Sequence, residues 1–159
     1  MNGRIAALGA AAVLALAGPL IARWEGVRYK PYQDVVGVWT VCYGHTGPDV
    51  VPGKSYTKAE CEALLNADMA VAQEQVRRCI RHPMLVQVEA ALVDLAFNVG
   101  PKGVCGSGIQ RAADANDWPQ VCVELDKWKF AGGRVYDGLV NRRMDARYLC
   151  ETGQYRWLE

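Results

Sequence analysis

The sequence predicts a mainly helical α+β domain with one short β-hairpin near its start. Three observations carry this. Thr57-Lys-Ala-Glu60 has capping-box spacing, in which threonine hydroxyl and glutamate carboxylate satisfy each other's backbone N–H groups. Residues 86–99 are apolar on two faces, the pattern of a buried central helix. Residues 29–34 and 38–43 are short aromatic and β-branched runs joined around Gly37, which reads as a hairpin.

Taken in order, the chain begins with residues 5–22, eighteen residues without a charge between Arg4 and Arg23. That length barely reaches the roughly 17–25 residues needed to cross a bilayer core. Eight Ala, two Gly and one Pro stand against seven larger aliphatics, so insertion in lipid is marginal. Three readings compete. The segment is a cleaved signal peptide, with Ala15-Leu16-Ala17 as the cleavage site, a soluble Ala-rich core helix, or an uncleaved anchor that later leaves the bilayer. Cleavage after Ala17 leaves seven residues before Glu25, too few for an independent helix, which favours the third. Pro19 is expected to kink or interrupt the helix, and Glu25 to close it.

After the hairpin, residues 48–55 form a Pro/Gly-rich loop. The capped helix runs from there to about Arg78, its apolar stripe made of Leu64, Leu65, Ala67, Met69, Val71, Ala72 and Val76, and Pro83 breaks the pattern. Gly100-Pro101 ends the central helix. Shorter helices are expected near residues 107–115, 118–125 and 140–151, with a further turn at the C-terminus. No repeat or domain-sized linker occurs, and 159 residues suit one domain or a small lobe plus a larger one.

Composition narrows the chemistry. Eighteen basic and 17 acidic residues nearly cancel, so nucleic acid is not an expected partner. Only two histidines occur, His45 and His82, and no C-x-x-C, H-E-x-x-H or P-loop, so neither metal nor cofactor is expected. Six cysteines suggest up to three disulfides and an oxidising compartment, with buried free thiols as the alternative.

Glu25, Asp34 and Thr40 follow an E-x8-D-x5-T pattern. Glycosidic cleavage needs an acid for the leaving oxygen and a second group to place a water. Glu25, desolvated by Trp24, suits the acid; Asp34 on the hairpin, with the Thr40 hydroxyl, suits the water. The plain alternative is a pair of solvated surface carboxylates.

Together with Thr57-Lys-Ala-Glu60, Ala96-Phe-Asn-Val-Gly100 and Gly138-Leu-Val-Asn-Arg-Arg143, that pattern resembles the glycoside hydrolase family 24 phage lysozymes. The weak N-terminal helix makes the signal-anchor-release endolysins within it the nearest likeness. The resemblance runs over residues 20–157. It implies a two-lobed fold, a small β-hairpin lobe and a larger helical lobe enclosing a cleft for peptidoglycan. It also implies hydrolysis of the β-1,4 bond between N-acetylmuramic acid and N-acetylglucosamine, with lysis of the host cell. On this view residues 1–24 are the releasable helix and 25–159 the catalytic domain. The protein is then a monomer, held at the periplasmic face of the inner membrane through residues 5–22 and later free in the periplasm. By resemblance, Arg142 contacts Glu25, His45 pairs with Asp68 to tie the hairpin to the long helix, and Tyr32, Phe97 and Asn98 line the cleft. The disulfides it implies are Cys122–Cys150, Cys79–Cys105 and Cys42–Cys61, stapling the large lobe. A lytic transglycosylase would need no water-placing pair, and a membrane-tethered peptidoglycan-binding protein would be indifferent to Glu25.

Overall fold

Alanine has the highest helix propensity, and the N-terminal segment uses it to build one continuous helix, α1 (Asn2–Glu25). A computed structural model describes residues 2–158, with side chains from residue 9 onward, so Arg4 and the side chains that open the 5–22 segment lie outside the described ones. Val13, Ala17, Leu20 and Ile21 recur at helical spacing and are buried, so α1 is seated as a core helix. Leu14 and Leu16 are only partly covered. Pro19 does not interrupt it. Both Pro19 and Ala15, whose carbonyl loses its N–H partner there, are exposed, so water can satisfy the freed oxygen. Among the described residues no helix is long and apolar enough to cross a membrane.

A three-stranded antiparallel sheet follows, β1 (Arg28–Gln33), β2 (Trp39–Cys42) and β3 (His45–Thr46) in that order, with Tyr32 opposite Thr40 and Thr40 opposite Thr46. The third strand extends the expected hairpin. Beyond it the 48–55 loop is pinned by Tyr56, whose hydroxyl accepts from the Val51 N–H at 3.0 Å and donates to the Asp49 carbonyl at 3.3 Å.

The capping box forms as expected at the head of α2 (Lys58–Cys79), and Lys54 with the cap bonds holds the Glu60 carboxyl down at about 2. The buried face of α2 is Cys61, Leu65, Met69, Ala72, Gln73 and Val76; Ala67 and Val71, expected in the stripe, are exposed on the opposite side. Helix α3 (Val86–Val99) is the buried centre, contacted by α1, α2 and α6 (Asp137–Thr152). Between α3 and α6 lie α4 (Gly108–Asp114), α5 (Trp118–Glu124) and a small hairpin of β4 (Phe130–Ala131) and β5 (Arg134–Val135), which the sequence reading lacks. Helix α6 begins at Asp137, a turn earlier than expected.

Two cores result. The large one joins α1 through α6. The small one holds Val41, Cys42, Val50, Tyr56 and Cys61, with Tyr43 touching both. All three implied disulfides are present, with Cα–Cα separations of 5.0, 5.3 and 5.7 Å for Cys42–Cys61, Cys79–Cys105 and Cys122–Cys150. Cys42–Cys61 departs from the expected role. It staples the sheet to the start of α2 inside the small core, and only the other two lie in the large lobe.

Side chains from α6 and the C-terminus fasten α1 from outside. Asp145 accepts the Trp24 indole N–H at 3.1 Å and the Arg156 Nε–H at 2.7 Å, and the Tyr155 hydroxyl donates to the Leu16 carbonyl at 2.9 Å. Because Ile21 is fully buried, Ile21→Ala is expected to cost about 2–5 kcal/mol, whereas Ala15→Ser on the exposed face stays within about 0.5 kcal/mol. Urea unfolding with disulfides intact measures both.

Candidate active site

The last residue of α1 carries the candidate acid. Glu25 Oε1 accepts from Arg142 Nη1 at 2.7 Å, an ion pair in which the arginine side chain is 5% and the carboxylate 23% exposed. Arg142 comes from α6 and is gripped from the other side by α3: its Nε and Nη2 both donate to Asp94 Oδ1, at 3.0 and 2.7 Å. Burial alone disfavours the charged guanidinium, but Asp94 and then Glu25 outweigh it and hold Arg142 above its ordinary value. The adjoining Arg143 is buried as well and donates to Asn98 Oδ1 at 2.6 Å. Burial pushes Arg143 down to about 10, against the pull of Asp94 and with the push of Arg142.

Gly44 closes the small-lobe side. Its φ of +83° favours glycine, and a Cβ there would lie 3.6 Å from Glu25 Oε2. Gly44 also lines a cavity of about 290 Å³ between the lobes, with Thr46, Asp68, Gln75 and Phe97. A larger cavity of about 830 Å³ lies between the first half of α1 and the α2–α3 connection, lined by Val13, Ile80 and Met84, away from Glu25. Among the described residues no group of three or more His, Cys, Asp or Glu is gathered to hold a metal ion.

Asp34 opens the β1–β2 turn, and Thr40 is the second residue of β2. Asp34 Oδ1 accepts the backbone N–H groups of Val36 at 2.9 Å and Val38 at 2.8 Å, so this carboxylate shapes the turn that carries it. Thr40 is buried, and its hydroxyl donates to the Val38 carbonyl at 3.2 Å. No hydrogen bond among the described residues joins either side chain to Glu25 directly. The Trp24 indole donates to Asp145, and the ion-pair partner of Glu25 is the Arg142 guanidinium.

The supporting residues divide. Phe97 lines the interlobe cavity, while Asn98 is engaged by Arg143, and Tyr32 lies under the Arg28 guanidinium at 4.3 Å. His45 Nδ1 meets Asp68 Oδ2 at 2.8 Å, tying β3 to α2, and its Nε2 meets both Asp49 oxygens at 3.2 Å. Asp94, Asp49, Arg143 and Asp145 escaped the sequence reading. Asp94 left a signal: a carboxylate inside an otherwise apolar central helix must find a partner, since an unpaired buried charge is prohibitively costly.

Glu25, Arg142 and Asp94 thus form a charged cluster at the end of α1 on a mainly helical frame that also carries a small β lobe. Residues 22–146 match the family model described as Phage lysozyme. The chain is 45% identical over 130 residues to the SAR-endolysin of Enterobacteria phage P21, covering 82% of this chain and 79% of that protein. It superposes on the active form of P1 phage endolysin Lyz with a TM-score of 0.79 at 27% identity, covering 87% of this chain and 84% of the other. Against the muramidase domain of SpmX from Asticaccaulis excentricus the TM-score is 0.78 at 27% identity, over 86% and 95% of the two chains. The chain belongs to the phage lysozyme family: it is a glycoside hydrolase of the lysozyme type, a phage endolysin.

His45 supplies a pH test of the site's frame. Burial by itself lowers its pKa, but Asp68 and Asp49 more than offset this and raise it above 6.5. A raised folded-state value means the charged pair stabilises fully below 6.5 and fades as pH rises through the folded value. The melting temperature should therefore fall from pH 6 toward pH 9 by an increment that Asp68→Asn diminishes, as differential scanning calorimetry at the two pH values would report.

Proposed function

We propose that Glu25 is the general acid of peptidoglycan hydrolysis and that Asp34 and Thr40 place the attacking water. Glu25 gives its proton to the oxygen leaving the β-1,4 bond between N-acetylmuramic acid and N-acetylglucosamine. The water oxygen bonds to the anomeric carbon as that bond breaks, and its proton passes to Asp34. The observation that carries this reading is the Glu25 carboxylate itself, part-exposed at the end of α1, held by Arg142 and lying beside Gly44, which lines the interlobe cavity. Phe97 on the cavity wall and Tyr32 on β1 are the aromatic surfaces offered to sugar rings.

The reading extends to residues 5–22 as a releasable anchor in the host inner membrane, with the enzyme at its periplasmic face before release and monomeric in the periplasm after it. The naming of the P21 relative as a SAR-endolysin supports this, as does an uncharged segment rich in Ala and Gly that lipid holds only marginally. Once out of lipid, Val13, Ala17, Leu20 and Ile21 need another apolar surface, and the large core supplies one. The proposed boundary between residues 24 and 25 falls inside α1, so seating the helix and presenting Glu25 are a single event. Residues 1–24 contain no cysteine and so no thiolate to exchange with a disulfide, which makes control topological rather than redox.

Glu25→Gln should lower clearing of chloroform-treated cells by about 10²–10⁴-fold while the fold persists. A variant clearing at the wild-type rate would end the assignment. Replacing Gly9, Ala10, Ala11 and Gly18 with Leu adds apolar groups at roughly 0.8 kcal/mol per buried CH₂. This variant should stay in the membrane fraction after depolarisation and lyse poorly. A wild-type soluble form found to begin at Gly18 would instead show signal-peptide cleavage.

A further inference from the structure

We infer that Asp94 is a positioning residue for Glu25, acting through Arg142; this rests on Glu25 being the acid. Asp94 is fully buried in the middle of α3, and its Oδ1 takes two N–H groups of the Arg142 guanidinium, Nε at 3.0 Å and Nη2 at 2.7 Å. A guanidinium is planar and rigid, so two bonds from its Nε–Nη2 edge to one acceptor fix the axis that runs through Cζ to Nη1. The remaining edge is thereby aimed, and Nη1 meets Glu25 Oε1 at 2.7 Å. Without that grip, a long arginine arm has several rotatable bonds and no reason to hold this direction.

Charge makes the same argument independently. Arg142 and Arg143 are consecutive on α6 and both buried. Asp94 lies against both, since its Oδ2 is 3.9 Å from Arg143 Nη2 and makes no hydrogen bond of its own. Arg143 Nε and Nη1 likewise have no hydrogen-bond partner, so Arg143 is held by one bond to Asn98 and by the field of Asp94. Two carboxylates thus balance two guanidinium groups. The charges bearing on Glu25 come from α6, through Arg142 and Arg143, and from α3, through Asp94; the small lobe meets it at the uncharged Gly44. Removing the Asp94 charge leaves Glu25 as the one carboxylate facing both guanidinium groups and frees Arg142 to turn.

The test is Asp94→Asn in the full chain, compared with Glu25→Gln. Clearing of chloroform-treated cells should fall about 10–100-fold, as for other losses of alignment, while sedimentation with purified peptidoglycan is unchanged. The alkaline limb of the pH–rate profile should move to lower pH, because the neighbouring charge balance turns positive. In an Arg142→Gln background, adding Asp94→Asn should change the rate less than about twofold, since the route through Arg142 is already cut. Wild-type rate and pH profile in Asp94→Asn, beside an inactive Glu25→Gln, would overturn this inference and spare the assignment of Glu25. An active Glu25→Gln would overturn the assignment itself. If Asp94→Asn does not fold, Asp94→Glu keeps the charge and lengthens the arm by one methylene; a wild-type rate there overturns the inference, and a reduced rate with intact binding supports it.

Discussion

The structure turns on a guanidinium that cannot be left alone. Arg142 is buried, and burying a cation is tolerable only when carboxylates surround it. Its partners come from two other helices, Glu25 at the end of α1 and Asp94 in the centre of α3, so one ionic contact fixes the relative placement of three elements. Removing one partner of such a cluster typically costs 3–5 kcal/mol, because the charge left behind stays buried. The same contacts that hold the helices together therefore also fix the Glu25 carboxylate at the end of α1.

α1 is where stability and chemistry meet. Among the described residues its apolar face supplies four core residues, while its last residue supplies the Glu25 carboxylate. Asp145 and Tyr155 reinforce the seating from outside, so α1 is secured by α6 and the segment after it. The small lobe is built on different terms. Its core is only five buried residues, and the Cys42–Cys61 disulfide and the Tyr56 bonds compensate for apolar area that so short a segment cannot provide. Such a lobe can hold Asp34 on a turn whose shape is set locally, by its own carboxylate and the backbone N–H groups of Val36 and Val38, with Thr40 on the strand that follows.

What the sequence determined by itself was whatever rests on local periodicity and local bonding. The Thr57–Glu60 capping box, the extent of α3 and its stop at Gly100, the end of α1 at Glu25 and the hairpin around Gly37 all follow from contacts within a few residues. The motif spacing and the family resemblance added the His45–Asp68 and Arg142–Glu25 pairs and the disulfide connectivity. Only the tertiary structure decided what lies beyond those reaches. Trp24 donates its N–H to Asp145, 121 residues away, because a buried carboxylate on α6 needs a donor. Val71 is exposed because it lines the interlobe cavity instead of the core, and Pro19 is harmless because its side of α1 is solvated. Asp94 was visible as a charge in an apolar run, but which cation would meet it depended on α6 crossing α3 at that point. Periodicity tells which face of a helix is buried; only packing tells what it is buried against.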